Sequence, residues 1–220
     1  MNDFPFRIVG FDLDGTLVDT AADLTAAVNH ALASIDRAPL TEAAVRPMIG
    51  LGARHMLGQG LLATGGAPEG MVDRLLPDLL RYYEAHIAVH SRPFPGLTDA
   101  LDRLDDLGVA TTVVTNKAER MARMLLGELG LADRMAVIIG GDTLGVRKPS
   151  PEPILAMIEQ AGGGRTAFVG DSIYDVMAAK AAGTPGILVG FGFLDRPAEE
   201  FGADHVIGDY DALIPLLETL

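Results

Sequence analysis

The chain contains no cysteine. That removes disulfides, thiol catalysis and cysteine-bound metals from consideration. It is short of positive charge, with 17 Lys and Arg against 30 Asp and Glu and a formal charge of −13. A balance of that sign argues against a nucleic-acid or anionic-membrane surface. No apolar run approaches the ~18 residues of a membrane span, and no basic start followed by a long apolar stretch marks a secretory signal. A cytoplasmic location is the expectation by elimination. What remains is ordinary for a soluble domain: 220 residues, 49% hydrophobic and 21% charged, enough to bury a sizeable core in one domain or two small ones.

Short apolar runs recur along the chain. They lie at Ile8–Phe11, Ala110–Val114, Ala136–Ile139, Ala167–Val169, Gly186–Val189 and His205–Ile207. Continuous runs rich in β-branched residues suit strands covered on both faces. Helical patterns at about 97–107, 119–129, 153–161, 175–182 and 211–217 separate the later ones, with Gly108, Gly130, Gly162 and Gly183 where C-caps belong. This rhythm predicts an α/β fold with a doubly wound parallel sheet. From about Val18 to His90 it breaks off. No strand is expected there, and helices are expected at about 23–35, 42–49, 54–62 and 71–89. The chain therefore divides into an α/β core, 1–16 and 92–220, and a small all-helical domain, 17–91, inserted after the first strand. Hinges fall near Leu17–Asp19 and Arg92–Gly96.

Polar residues gather where the strands end, which in an open α/β sheet is where ligands bind. The first strand runs into Phe11-Asp12-Leu13-Asp14-Gly15-Thr16. In extended backbone, residues two apart point the same way, so Asp12 and Asp14 can face one ligand. Two charges ~4 Å apart repel by about 4 kcal/mol at an effective dielectric of ~20, and a divalent cation is the simplest remedy. The second strand ends in Thr115-Asn116-Lys117, the third is followed by Arg147-Lys148-Pro149, and the fourth ends in Gly170-Asp171-Ser172 with Asp175 beyond. If a helix starts there, Asp171 and Asp175 share a face. Four acids supply hard oxygen ligands suited to Mg²⁺. Lys148 supplies a point charge for phosphate. Together they would make a local anion site in an acidic molecule.

Asp12-x-Asp14-Gly15-Thr16, Thr115, Lys148 and Gly170-Asp171-x-x-x-Asp175, in that order, resemble the four motifs of the haloacid dehalogenase-like hydrolases over essentially the whole chain. The helical insertion occupies the place of that family's first-type cap domain. Within the family, Phe11–Asp19, Val45–Gly52, Thr115–Lys117, Ile139–Asp142, Lys148–Pro153 and Val169–Ser172 resemble the bacterial phosphoglycolate phosphatase branch. The resemblance implies a Mg²⁺-dependent phosphatase acting on a small phosphorylated metabolite, 2-phosphoglycolate first. Asp12 would be the nucleophile and a metal ligand. Asp14 would be the acid and base, with its carbonyl oxygen on the metal. Asp171 would be a further metal ligand, and Asp175 would sit at the metal or just behind it. Thr115, Asn116 and Lys148 would bind the phosphoryl group. An acid at Asp14 favours phosphate-ester hydrolysis over carbon–halogen cleavage, because an alkoxide needs a proton and a halide does not.

Alternatives stay open within the same core: a pyrophosphatase, a sugar-phosphate phosphatase, a phosphosugar mutase, or a non-catalytic binding protein. Both monomer and homodimer are compatible with the sequence. Arg54 could clamp a substrate carboxylate or lie solvated. Lys117 reads as a solvated first-turn residue or a substrate contact. Asp142, Ser172 and Asp19 read most simply as caps. His86 and His90 read as one helix face, and Met121 and Met124 as core.

Overall fold

The structure is a computed structural model that describes residues 4–220. Residues 1–3, expected in the α/β part, lie outside the described residues. In chain order the elements are β1 (Ile8–Phe11), β2 (Val18–Asp19), α1 (Ala21–Ala33), α2 (Glu42–Val45), α3 (Ala53–Ala63) and α4 (Met71–Ala85). There follow β3 (Arg92–Pro93), α5 (Leu97–Asp106), β4 (Ala110–Val114), α6 (Glu119–Glu128), β5 (Val137–Ile139) and α7 (Glu152–Gln160). The chain closes with β6 (Thr166–Gly170), α8 (Ile173–Ala182), β7 (Gly186–Val189), β8 (His205–Ile207) and α9 (Leu213–Thr219).

Six strands form one sheet in the order β5-β4-β1-β6-β7-β8, and every pairing is parallel. β1 is central, with Phe11 opposite Val113 on one side and Val169 on the other. Alternation along β1 feeds two cores. Val9 and Phe11 pack among Leu101, Leu104, Val113 and Leu125. Ile8 packs on the other face with Ile154, Met157, Phe168 and Ala178. Helices thus cover both faces, which is why the central strands read as continuous runs of apolar and β-branched residues rather than alternating. Gly10 lies under α7 and leaves no room for more: a Cβ there would come within 2.7 Å of Met157 Cε and 2.8 Å of Phe168.

The stretch expected to lack strands begins with one. Val18 pairs antiparallel with Pro93 and Asp19 with Arg92, forming a two-strand ribbon at the two points where the chain leaves and rejoins the α/β part. Two-residue strands carry no periodicity that a sequence could display. Asp23 secures the return: its carboxylate accepts from the backbone N–H of His90 at 3.0 Å and Ser91 at 2.8 Å, and from Ser91 Oγ at 2.7 Å. Between the strands, α1, α3 and α4 pack through Leu24, Val28, Leu57, Leu61, Leu75 and Leu79, continuous with the core beneath the sheet. Helix α2 stops at Val45, where a 3-10 turn with Pro47 takes over, and α4 stops at Ala85. His86 and His90 are therefore not on one helix face; His86 stacks on Tyr82 at 4.2 Å between ring centroids. No helix among the described residues is long and apolar enough to cross a membrane.

Candidate active site

The carboxyl ends of β1, β4 and β6 and the loop before α7 deliver their polar side chains to one point. Asp12 continues the extended run of β1, its N–H donating to the Val169 carbonyl at 2.9 Å. The chain then turns at Gly15, which takes φ +81° and approaches Asp171 so closely that a Cβ would lie 2.1 Å from Asp171 Oδ2. Both the dihedral and the space demand glycine. Thr16 Oγ1 donates to Asp171 Oδ1 at 3.2 Å, and the Phe193 N–H donates to Oδ2 at 2.7 Å. The strand-end contact from β7's loop had no sequence signal, although Gly192 is constrained by space, a Cβ there meeting Asp171 Cβ at 2.3 Å.

Helix α8 begins after Asp171, with Ser172 as its N-cap and Asp175 closing a reciprocal capping box. Asp171 and Asp175 thus share no helical face, and the turn itself brings them together. One oxygen each from Asp12, Asp171 and Asp175 lies within 4.8 Å of the others, and all three residues are buried. Lys148 is 1% exposed, with its Nζ 3.0 Å from Asp12 Oδ1 and 2.6 Å from Asp175 Oδ1. One lysine faces three carboxylates. Burial pushes Asp12 up to about 6 against the pull of Lys148, and burial plus the neighbouring Asp175 and Asp12 charges raise Asp171 well above the carboxylate range. This is a site short of positive charge.

Asp14 stands apart from that trio. Its carboxylate receives Lys117 Nζ at 2.7 and 2.8 Å and Thr20 Oγ1 at 2.7 Å. Lys117 is correspondingly buried rather than solvated. Thr115 is buried beside it, its Oγ1 accepting from the Lys117 N–H at 3.2 Å. The Asn116 amide is spent on the carbonyls of Gly50 at 2.9 Å and Lys148 at 3.1 Å, so that side chain ties the helical insertion to the Lys148 loop. Ser172 caps as expected. Asp142 accepts from the Glu119 N–H at 2.8 Å at the start of α6. Asp19 accepts from the Ala21 N–H at 3.2 Å and pairs with Arg46 at 2.7 Å.

A cavity of about 240 Å³ opens over Asp12, Asp14 and Thr115. Its roof is apolar, formed by Met56, Leu76, Leu79, Leu80 and Tyr83 from the insertion, and Met121 lines it from the other side. Arg54 is on its wall but mostly exposed and paired with Asp73 at 2.6 Å, so it is not brought to the acids. Arg147, passed over in the sequence, also lines it and donates to the Leu51 carbonyl at 3.2 Å. Tyr83 likewise carried no signal beyond its helical spacing.

The family model described as haloacid dehalogenase-like hydrolase matches residues 9–189. A phosphoglycolate phosphatase of Agrobacterium fabrum (strain C58) is 44% identical over 210 residues, covering 94% of this chain and 90% of that protein. One from Mesorhizobium japonicum is 41% identical over 217 residues, covering 97% and 96%. A crystal structure described as a predicted phosphoglycolate phosphatase from Haemophilus somnus 129pt superposes with a TM-score of 0.90 at 27% identity, covering 96% of this chain and 98% of that one.

Proposed function

The chain belongs to the haloacid dehalogenase-like hydrolases, and from that premise we propose that it is a Mg²⁺-dependent phosphatase hydrolysing 2-phosphoglycolate to glycolate and phosphate. The names of its relatives support the substrate. The observation that carries the chemistry is the separation of two acids two residues apart. Asp12 lies with Asp171, Asp175 and Lys148, while Asp14 is held by a second lysine outside that group.

The donor set fits Mg²⁺: buried, all-oxygen and more negative than its single lysine offsets. Asp12 and Asp171 would hold the ion with carboxylate oxygens and Asp14 with its carbonyl oxygen. Asp175 would orient the arrangement from behind, because its oxygens are already taken by Lys148 and by the Ser172 N–H at 2.9 Å. The ion, when bound, supplies charge that lets an anionic nucleophile approach an anionic phosphate.

The free Asp12 oxygen attacks phosphorus and the bond to the glycolate oxygen breaks, giving an aspartyl-phosphate. Asp14, which enters this step protonated, gives that proton to the departing alkoxide and becomes the carboxylate that Lys117 holds, then takes one from the water that cleaves the intermediate. Lys148 and Thr115 face the transferring oxygens, with Asn116 offering its backbone N–H. We assign residues 17–91 as a cap whose apolar side chains exclude bulk water from the cavity, with 1–16 and 92–220 as the core. Arg54 and Arg147 on the cavity wall are the cations available to the substrate carboxylate. The test is a purified-enzyme panel of small phosphate esters, pyrophosphate and sugar phosphates, with and without Mg²⁺. Phosphoglycolate should rank first, and Asp12→Asn should lose at least ~10³-fold. Substantial residual turnover by that variant would end the covalent mechanism, and a preference for another ester would reassign the substrate.

A further inference from the structure

We propose that Lys117 is a positioning residue that sets the enzyme's selectivity for poor leaving groups, and that Tyr83 of the helical insertion completes its grip. This rests on the reading of Asp14 as acid and base. Lys117 Nζ lies 2.7 and 2.8 Å from the two Asp14 oxygens, and the two side chains are 7% and 12% exposed. A buried ion pair returns little net stability once desolvation is counted, so its consequence is geometric. Two of the three ammonium hydrogens are committed to one carboxylate, and Thr20 Oγ1 approaches Asp14 Oδ1 from another side at 2.7 Å. The carboxylate is thereby kept off the Asp12, Asp171 and Asp175 group and stays at the wall of the cavity that Asp14 lines, where a leaving oxygen would emerge.

Tyr83 comes from α4. Its ring centroid lies 4.8 Å from Lys117 Nζ, and the residue is 3% exposed. The ring face shields the ammonium from water and attracts it through the π cloud. Its hydroxyl is buried, makes no hydrogen bond of good geometry among the described residues, and interacts with the same ammonium, so ring and hydroxyl both face Lys117. The grip on Asp14 is therefore complete only while α4 rests on the core. An alkoxide leaving group needs the proton that Asp14 delivers, whereas p-nitrophenolate leaves without it. Loss of the grip should fall selectively on alkyl esters.

The experiment measures kcat and KM for 2-phosphoglycolate, ethyl phosphate and p-nitrophenyl phosphate in the Mg²⁺-loaded enzyme. K117M should lower kcat for both alkyl esters by about 100-fold, the low end of what a positioned acid contributes. KM should stay within about threefold and p-nitrophenyl phosphate turnover should fall at most about fivefold. Lys117→Arg should recover at least about tenfold of the alkyl loss. Y83A should show the same selectivity more weakly, with Y83F closer to the parent than Y83A. An equal loss on all three esters would overturn the proposal in favour of a structural role. A rise in KM confined to phosphoglycolate, with ethyl phosphate spared, would overturn it in favour of direct carboxylate binding. If K117M does not fold, the selectivity of Lys117→Arg and Y83A decides. Asp14→Asn separates the two levels: if it shows no leaving-group selectivity, the acid reading fails. If it does and the Lys117 and Tyr83 variants do not, only the positioning role fails.

Discussion

Replacing Lys148 with methionine tests whether the carboxylate cluster depends on that one charge. The ammonium sits 3.0 Å from Asp12 and 2.6 Å from Asp175, which at an effective dielectric of ~20 corresponds to gross attractions of about 5.5 and about 6.4 kcal/mol. Desolvation offsets much of this. Removing one partner of a buried pair nevertheless costs about 3–5 kcal/mol, because the abandoned charge stays buried. The metal-free K148M protein should therefore lose about 3–5 kcal/mol at pH 7.5, read by urea denaturation. The loss should shrink on acidification, and the sign is fixed by linkage. Asp12 already titrates at about 6 instead of 3.8, so the folded state binds its proton more tightly than the unfolded state. Such a group destabilises the fold as pH climbs through that window. Without Lys148 the carboxyl is pushed higher still, and the window widens upward toward neutrality. At pH 5.5 a proton takes the place of the lost lysine, and the difference from wild type should fall by at least ~1 kcal/mol. A pH-independent difference, or one below about 1 kcal/mol at pH 7.5, would refute the claim that Lys148 neutralises this cluster.

The same cluster predicts the response to metal. Because burial raises Asp12 and Asp171, Mg²⁺ competes with protons, so the rise in Tm from 5 mM Mg²⁺ should be larger at pH 7.5 than at pH 5.5 and should vanish with EDTA. Gly15→Ala combines a φ of +81° with a Cβ 2.1 Å from Asp171 Oδ2. It should cost about 2–4 kcal/mol in urea denaturation and weaken that Mg²⁺ response. Asp23→Ala strands the buried N–H and hydroxyl of Ser91 and the half-buried N–H of His90. A loss of about 2–4 kcal/mol is expected, with limited proteolysis cutting first near residues 86–92.

What was legible in the primary structure and what was not divide along a physical line. Ile8–Phe11, Ala110–Val114 and Gly186–Val189 are strands at the predicted bounds, because burial on both faces writes a short continuous run of apolar and β-branched residues. Helices were legible in kind and blurred at their ends. Helix α8 starts at Ile173 rather than 175 because Ser172 and Asp175 form a capping box, a hydrogen-bond fact and not a periodic one. The convergence of Asp12, Asp171 and Lys148 was legible because each follows or closely succeeds a strand of a parallel sheet, and parallel strands deliver all their carboxyl ends to one edge. The β2–β3 ribbon was invisible, since two residues have no period. Lys117 was ambiguous for a different reason. Its partner Asp14 is 103 residues away and its cover Tyr83 belongs to another layer, so nothing local distinguishes a buried lysine from a solvated one. Sequence pattern reports which face of an element is dry, but pairing between charged side chains depends on which elements meet. That is why Asp12 could be placed at the sheet edge from a motif, while the Lys117–Asp14 pair became visible only once α4 was set down over the end of β4.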